Sequence, residues 1–174
     1  MQQLYQAKGL LSREFTGQIT YTFCLPCPLK ELDICLTFDK RRYDSPEQVP
    51  VEELMDYCRS HYDITAYESL SREELADLFF RETKTEIHLM ATLNDSFIGC
   101  IHKQLTCRHM HFSPDMLSEG CLMPEVLDGV LKVTVLVFQV LMDDTPYTVT
   151  VSGRKIEKTK DADKEKQEKG GMLS

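Results

Sequence analysis

At 174 residues, with 42% hydrophobic and 28% charged positions, the chain has the composition of an ordinary globular protein and the length of one domain. A net charge of −8 argues against general affinity for nucleic acid, where Lys and Arg must neutralise phosphates. The same charge disfavours docking on an anionic membrane surface, and its plain reading is solubility.

Residues 1–14 show no sustained hydrophobic period and no basic segment followed by a long apolar run. They are expected to form an N-terminal arm outside the folded domain. From Gly17 the pattern changes. Ile19, Tyr21, Phe23 and Leu25 alternate with Thr20, Thr22 and Cys24, which predicts a strand with one buried face. Pro26-Cys27-Pro28 must end it, because proline supplies no amide hydrogen to a ladder. Leu32, Ile34, Leu36 and Phe38 then alternate with Asp33, Cys35 and Thr37, and the two runs are expected to pair as a hairpin.

A charged connection, Asp39 to Pro46, precedes a helix predicted near 50–62, with Pro50 in its first turn and an apolar stripe of Val51, Leu54, Met55 and Cys58. A second helix is predicted over 71–82, where Ser71-Arg72-Glu73-Glu74 has the capping-box pattern. Strand patterning resumes at Glu86, turns at Asn94-Asp95-Ser96, and returns through about Leu105, with the β pattern extending to His111. Residues 115–127 predict no regular element.

The most apolar stretch is Val130–Met142, VLKVTVLVFQVLM, whose valines favour a strand. Leu131, Val133, Val135, Val137 and Leu141 would share one face, interrupted by Gln139; Leu136, Phe138, Val140 and Met142 would share the other. Such a strand needs cover on both sides, from within the monomer or from a second copy in a homodimer. It is too short to span a membrane. Asp143-Asp144-Thr145-Pro146 is expected to connect it tightly to a last strand through Val151, and residues 153–174 are expected to be a charged disordered tail. The predicted fold is therefore mainly β, α+β at the margin. It is a single domain over 15–152 built as an antiparallel sandwich or a curved, barrel-like sheet of about six strands, with two inserted helices.

The seven cysteines, odd in number and widely scattered, predict reduced thiols and a cytoplasmic protein. Cys24-Leu25-Pro26-Cys27 has the spacing of a redox or zinc motif, but a strand rather than a helix follows, and a second such pair is missing. Cys107, His109 and His111 fall on one face if that stretch is extended, and three such ligands suit zinc. Phosphate-cradling glycine motifs are missing from the sequence, and no local signature supports a nucleophilic triad. The expected function is a non-catalytic cytoplasmic binding or protein-interaction module for a small molecule or a protein, without a cofactor. The alternative is a zinc-dependent protein, such as a hydrolase, centred on 107–111.

Overall fold

The structure is a computed structural model that describes residues 1–13, 15–102 and 105–156. Among them are strands β1 (Gln2–Leu11), β2 (Gly17–Cys24) and β3 (Leu29–Phe38), then helices α1 (Val51–His61) and α2 (Arg72–Glu82). Strands β4 (Glu86–Leu93), β5 (Ser96–Ile101), β6 (Cys107–Phe112), β7 (Val130–Gln139) and β8 (Thr145–Lys155) follow. They form two four-stranded antiparallel sheets, ordered β1-β8-β3-β6 and β2-β7-β4-β5. Leu32, Ile34 and Leu36 of β3 and Val149 and Val151 of β8 meet Leu89 and Ala91 of β4 and Val133 and Val135 of β7 in one buried cluster. The fold is a β-sandwich with a helical insertion, and its strands number eight among the described residues where the sequence pattern suggests about six.

Of the three expected hairpins, β4–β5 is one. Its turn is held by Asn94 and Asp95, both at positive φ, and Asn94 reaches across to the start of β7, accepting from the Val130 amide at 2.8 Å. The other two are corrected. β2 pairs with β7 and β3 with β8 and β6, so Leu25–Pro28 carries the chain from one sheet to the other. Four linking residues reach about 13 Å, enough to cross the roughly 10 Å between packed sheets. Both ends of this link find partners, since the Leu25 and Leu29 amides donate to the carbonyls of Gly129 and Leu127. The β7–β8 connection crosses likewise. The stretch expected as one β segment through His111 is also divided, because β5 ends at Ile101 and β6 lies in the opposite sheet.

The expected N-terminal arm is a strand instead: β1 pairs with β8 from Gln2 to Leu11. Its inward residues include Ala7 and Gly9, which weaken the hydrophobic alternation that would have revealed it. Gly9 faces Tyr147, whose ring lies so close that a Cβ on residue 9 would sit 2.5 Å from it. Tyr147 in turn meets Tyr21 of the other sheet, hydroxyl to hydroxyl at 2.7 Å. Gly153–Lys155, expected in the tail, belong to β8 instead; the rest of the expected tail, residues 157–174, lies outside the described residues.

The helices make a second hydrophobic cluster. Val51 and Met55 of α1, Leu75 and Phe79 of α2, Tyr43, Val49 and Leu141 bury together. The capping box forms: the Ser71 hydroxyl accepts from the Glu74 amide at 3.3 Å while the Glu74 carboxylate accepts from the Ser71 amide at 2.8 Å. Buried Thr85 clasps the junction with the sandwich. Its hydroxyl donates to the Lys40 carbonyl at 2.9 Å and accepts from the Leu141 amide at 3.2 Å.

Val137 is 3% exposed, packed in the sandwich core. Val137→Asp should cost more than about 4 kcal/mol, because it forces a carboxylate among buried apolar side chains. Chemical denaturation, or insoluble expression, would register it; a soluble variant of parental stability would contradict this core.

Candidate functional site

β7 ends in a bulge that places an aromatic side chain at the surface. Val137 pairs with Ile87 and Gln139 with Glu86, so two steps on β7 match one on β4 and Phe138 is the extra residue. A bulge shifts the inward–outward alternation by one residue. Before it, Leu131, Val133, Val135 and Val137 face the core; after it, Val140 does, and Leu141 joins the helical cluster. This reverses the faces that the sequence pattern assigns to Val140 and Leu141. Phe138 remains 56% exposed, with its ring centroid 4.6 Å from that of His88.

Beside Phe138 lies a groove of about 490 Å³ where α1 meets the end of the sandwich. Phe138, Tyr57 and Tyr62 supply exposed aromatic surface, Leu54 and Val140 line it, and Arg13, Glu53 and Gln139 bring polar groups. Tyr57 presents its ring from the outer side of α1 and stacks on His61 at 4.2 Å between centroids. A second depression of about 460 Å³ adjoins and shares Arg13, Tyr43 and Leu141.

The charges in the groove are tethered. The Arg13 guanidinium pairs with the Glu53 carboxylate, and the Arg13 amide donates to Asp143 Oδ1 at 2.8 Å. The same pairing holds the Glu53 carboxyl below its ordinary value and raises the pKa of Arg13. Burial raises the Tyr43 phenol, which therefore stays protonated.

The sequence-predicted cluster lies elsewhere, on the outer face of β6. Cys107, His109 and His111 do share that face, opposite Thr37, Cys35 and Asp33 of β3. Cys107 Sγ lies 3.3 Å from His109 Nε2, and Cys35, which sequence reasoning did not include, places its Sγ 3.5 Å from Nε2 and 3.8 Å from Cys107 Sγ. His111 does not join them; its Nδ1 is 3.5 Å from Asp33 Oδ2. His109 Nδ1 is 3.1 Å from Asp33 Oδ1. Burial, then the neighbouring Cys107, pushes the Cys35 thiol up to about 12. Cys35 alternates like any outward strand residue, and only the β3–β6 register brings it to β6. Cys24 and Cys27 fall at the end of β2 and in the link beyond it, and all seven cysteines are unbridged.

On the other sheet, His88 Nδ1 and His102 Nδ1 are 2.9 Å apart, and His88 Nε2 is 3.1 Å from Glu86 Oε1. Desolvation lowers the pKa of His88, favouring the neutral ring. Alternation puts His88 opposite the core-facing strand residues, but the sequence does not show that His102 would reach it.

The family model for DUF6669, a family of unknown function, matches residues 1–158. The chain belongs to that family. The DUF6669 match spans all the described strands, both helices, the groove and the Cys/His cluster. No curated protein and no solved structure matches the chain. Among the described residues, no helix is long and apolar enough to cross a membrane.

Because its ring projects from the bulge into solvent, Phe138→Asp should leave the protein folded, at a cost within about 1 kcal/mol. Thermal unfolding would check this, and the contrast with the neighbouring Val137→Asp tests the bulge: comparable collapse of both variants would show that Phe138 is buried.

Proposed function

We propose that this chain is a non-catalytic cytoplasmic binding module that holds a small organic ligand, with an apolar body and a hydrogen-bonding end, in the groove beside Phe138. One observation carries the reading: three exposed aromatic rings, those of Tyr57, Tyr62 and Phe138, line the same 490 Å³ groove. Its volume lies within the roughly 300–1,000 Å³ of small-molecule sites, and its mixture of aromatic surface with a few polar groups is what such sites use. A bulge that turns a phenyl ring outward beside a groove is a recurrent device for presenting a side chain to a ligand.

The charge state of the groove favours binding over catalysis. Glu53 is neutralised by Arg13 and Tyr43 is held protonated, so neither is poised as a base or nucleophile. Seven unbridged cysteines support the cytoplasmic assignment.

Aromatic fragments bearing an amide or carboxylate should shift the amide resonances of α1 and of residues 138–141 in two-dimensional NMR. Phe138→Ala and Tyr57→Ala should each weaken that binding by about two- to tenfold, the worth of one aromatic contact. Shifts that cluster elsewhere, or unchanged affinity in both variants, would refute the groove as the ligand site. A parent that runs as a dimer and a Phe138→Ala variant that runs as a monomer would reassign the groove to a subunit contact.

A further inference from the structure

We propose that Cys35, Cys107 and His109 bind one zinc ion, with the fourth coordination position filled from solvent. This site shares no lining residue with the groove, so it stands or falls independently of the binding reading.

The spacing of the three donor atoms supports it. Zinc bonds sulfur at about 2.3 Å and imidazole nitrogen at about 2.0–2.1 Å, almost always with tetrahedral angles. Those bonds imply donor separations of about 3.8 Å between two sulfurs and about 3.6 Å between sulfur and nitrogen. The side chains provide 3.8 Å between Cys35 Sγ and Cys107 Sγ, and 3.5 and 3.3 Å from the two sulfurs to His109 Nε2. Three edges of the coordination polyhedron are therefore already in place. Two soft thiolates and an imidazole select zinc over magnesium or calcium, which take oxygen. Two thiolates would also balance the charge of a divalent ion, with His109 neutral.

The surroundings orient the ligands. Asp33 Oδ1, 3.1 Å from His109 Nδ1, accepts the Nδ1 proton and so directs the Nε2 lone pair toward the two sulfurs. A carboxylate behind a ligating imidazole is the usual second layer of a zinc site, because it selects the tautomer and strengthens the donor. His111 lies on the far side of that carboxylate, 3.5 Å from Oδ2, where it steadies Asp33. Strand geometry delivers the set: Cys35 pairs across the ladder with His109, and Cys107 stands two residues along on the same face. β6 is an edge strand, and both Cys107 and His109 are exposed, so an ion reaches the donors from solvent. A cavity of about 260 Å³ lined by Leu105, Cys107, His109, Ser118 and Glu119 adjoins them, with room for a water or a small anion at the fourth position.

The full chain, expressed without a histidine tag and purified under reducing conditions without chelator, should contain one zinc per molecule by elemental analysis. Replacement by cobalt should produce thiolate-to-metal charge transfer in the near ultraviolet and the intense visible bands of a tetrahedral ion. This readout needs no variant. Cys35→Ser, Cys107→Ser and His109→Gln should each abolish stoichiometric binding while circular dichroism stays parental. Asp33→Asn should weaken zinc about 10- to 100-fold, the usual effect of losing such a carboxylate. His111→Gln and Cys24→Ser should retain one zinc. Cobalt without charge-transfer bands, or zinc that survives Cys35→Ser, would overturn the assignment. Loss of zinc in His111→Gln equal to that in His109→Gln would overturn this ligand set.

Discussion

The bulge at Phe138 is the constraint on which the rest of the structure depends. Up to Val137, β7 presents every second side chain to the sandwich core; one extra residue then shifts that alternation. As a result Val140 plugs the end of the sandwich, while Leu141, its immediate neighbour, buries among Val51, Met55, Leu75 and Phe79. Successive side chains of extended backbone point to opposite sides, so one short segment serves two hydrophobic clusters. The helical layer is held by this segment and by Thr85, whose hydroxyl satisfies backbone groups from both the β3 exit and the β7 exit. The groove is the space that remains between the displaced Phe138 and α1.

The crossings between sheets matter as much for the second constellation. Because β2 and β3 separate into different sheets, β3 is free to pair with β6, and Cys35 comes to lie opposite His109. A local β2–β3 hairpin would have taken one of the two edges of β3 that β8 and β6 occupy. The close approach of Tyr147 over Gly9 belongs to the same architecture, since it brings the Tyr147 hydroxyl to Tyr21 across the sandwich. Groove and Cys/His cluster thus sit on different parts of one scaffold and answer to different chemistry. Aromatic surface in the groove suits an organic ligand; thiols and imidazole on β6 suit a soft or borderline metal ion.

Periodicity alone determined a good deal. Alternation in β2, β3, β4 and β7 and the stripes of α1 and α2 are written in local sequence, and so is the Ser71–Glu74 capping box, because each depends on residues a few positions apart. The shared face of Cys107, His109 and His111 follows from strand geometry in the same way. β1 escaped because Ala7 and Gly9 carry too little apolar surface to mark an inward face. Gly9 is covered by Tyr147, about 140 positions away along the chain.

Tertiary structure decided the rest. Which strands pair, and in which sheet, depends on contacts between segments distant in sequence, and short proline-containing links are compatible with either a hairpin or a crossing. The bulge arises from the register between β7 and β4, so the exposure of Phe138 and the exchange of faces between Val140 and Leu141 could not be read from β7 itself. Cys35 replaced His111 beside Cys107 and His109 for the same reason. A donor on a neighbouring strand is invisible to periodicity, while a residue on the correct face can still turn its ring to a closer carboxylate, as His111 does to Asp33.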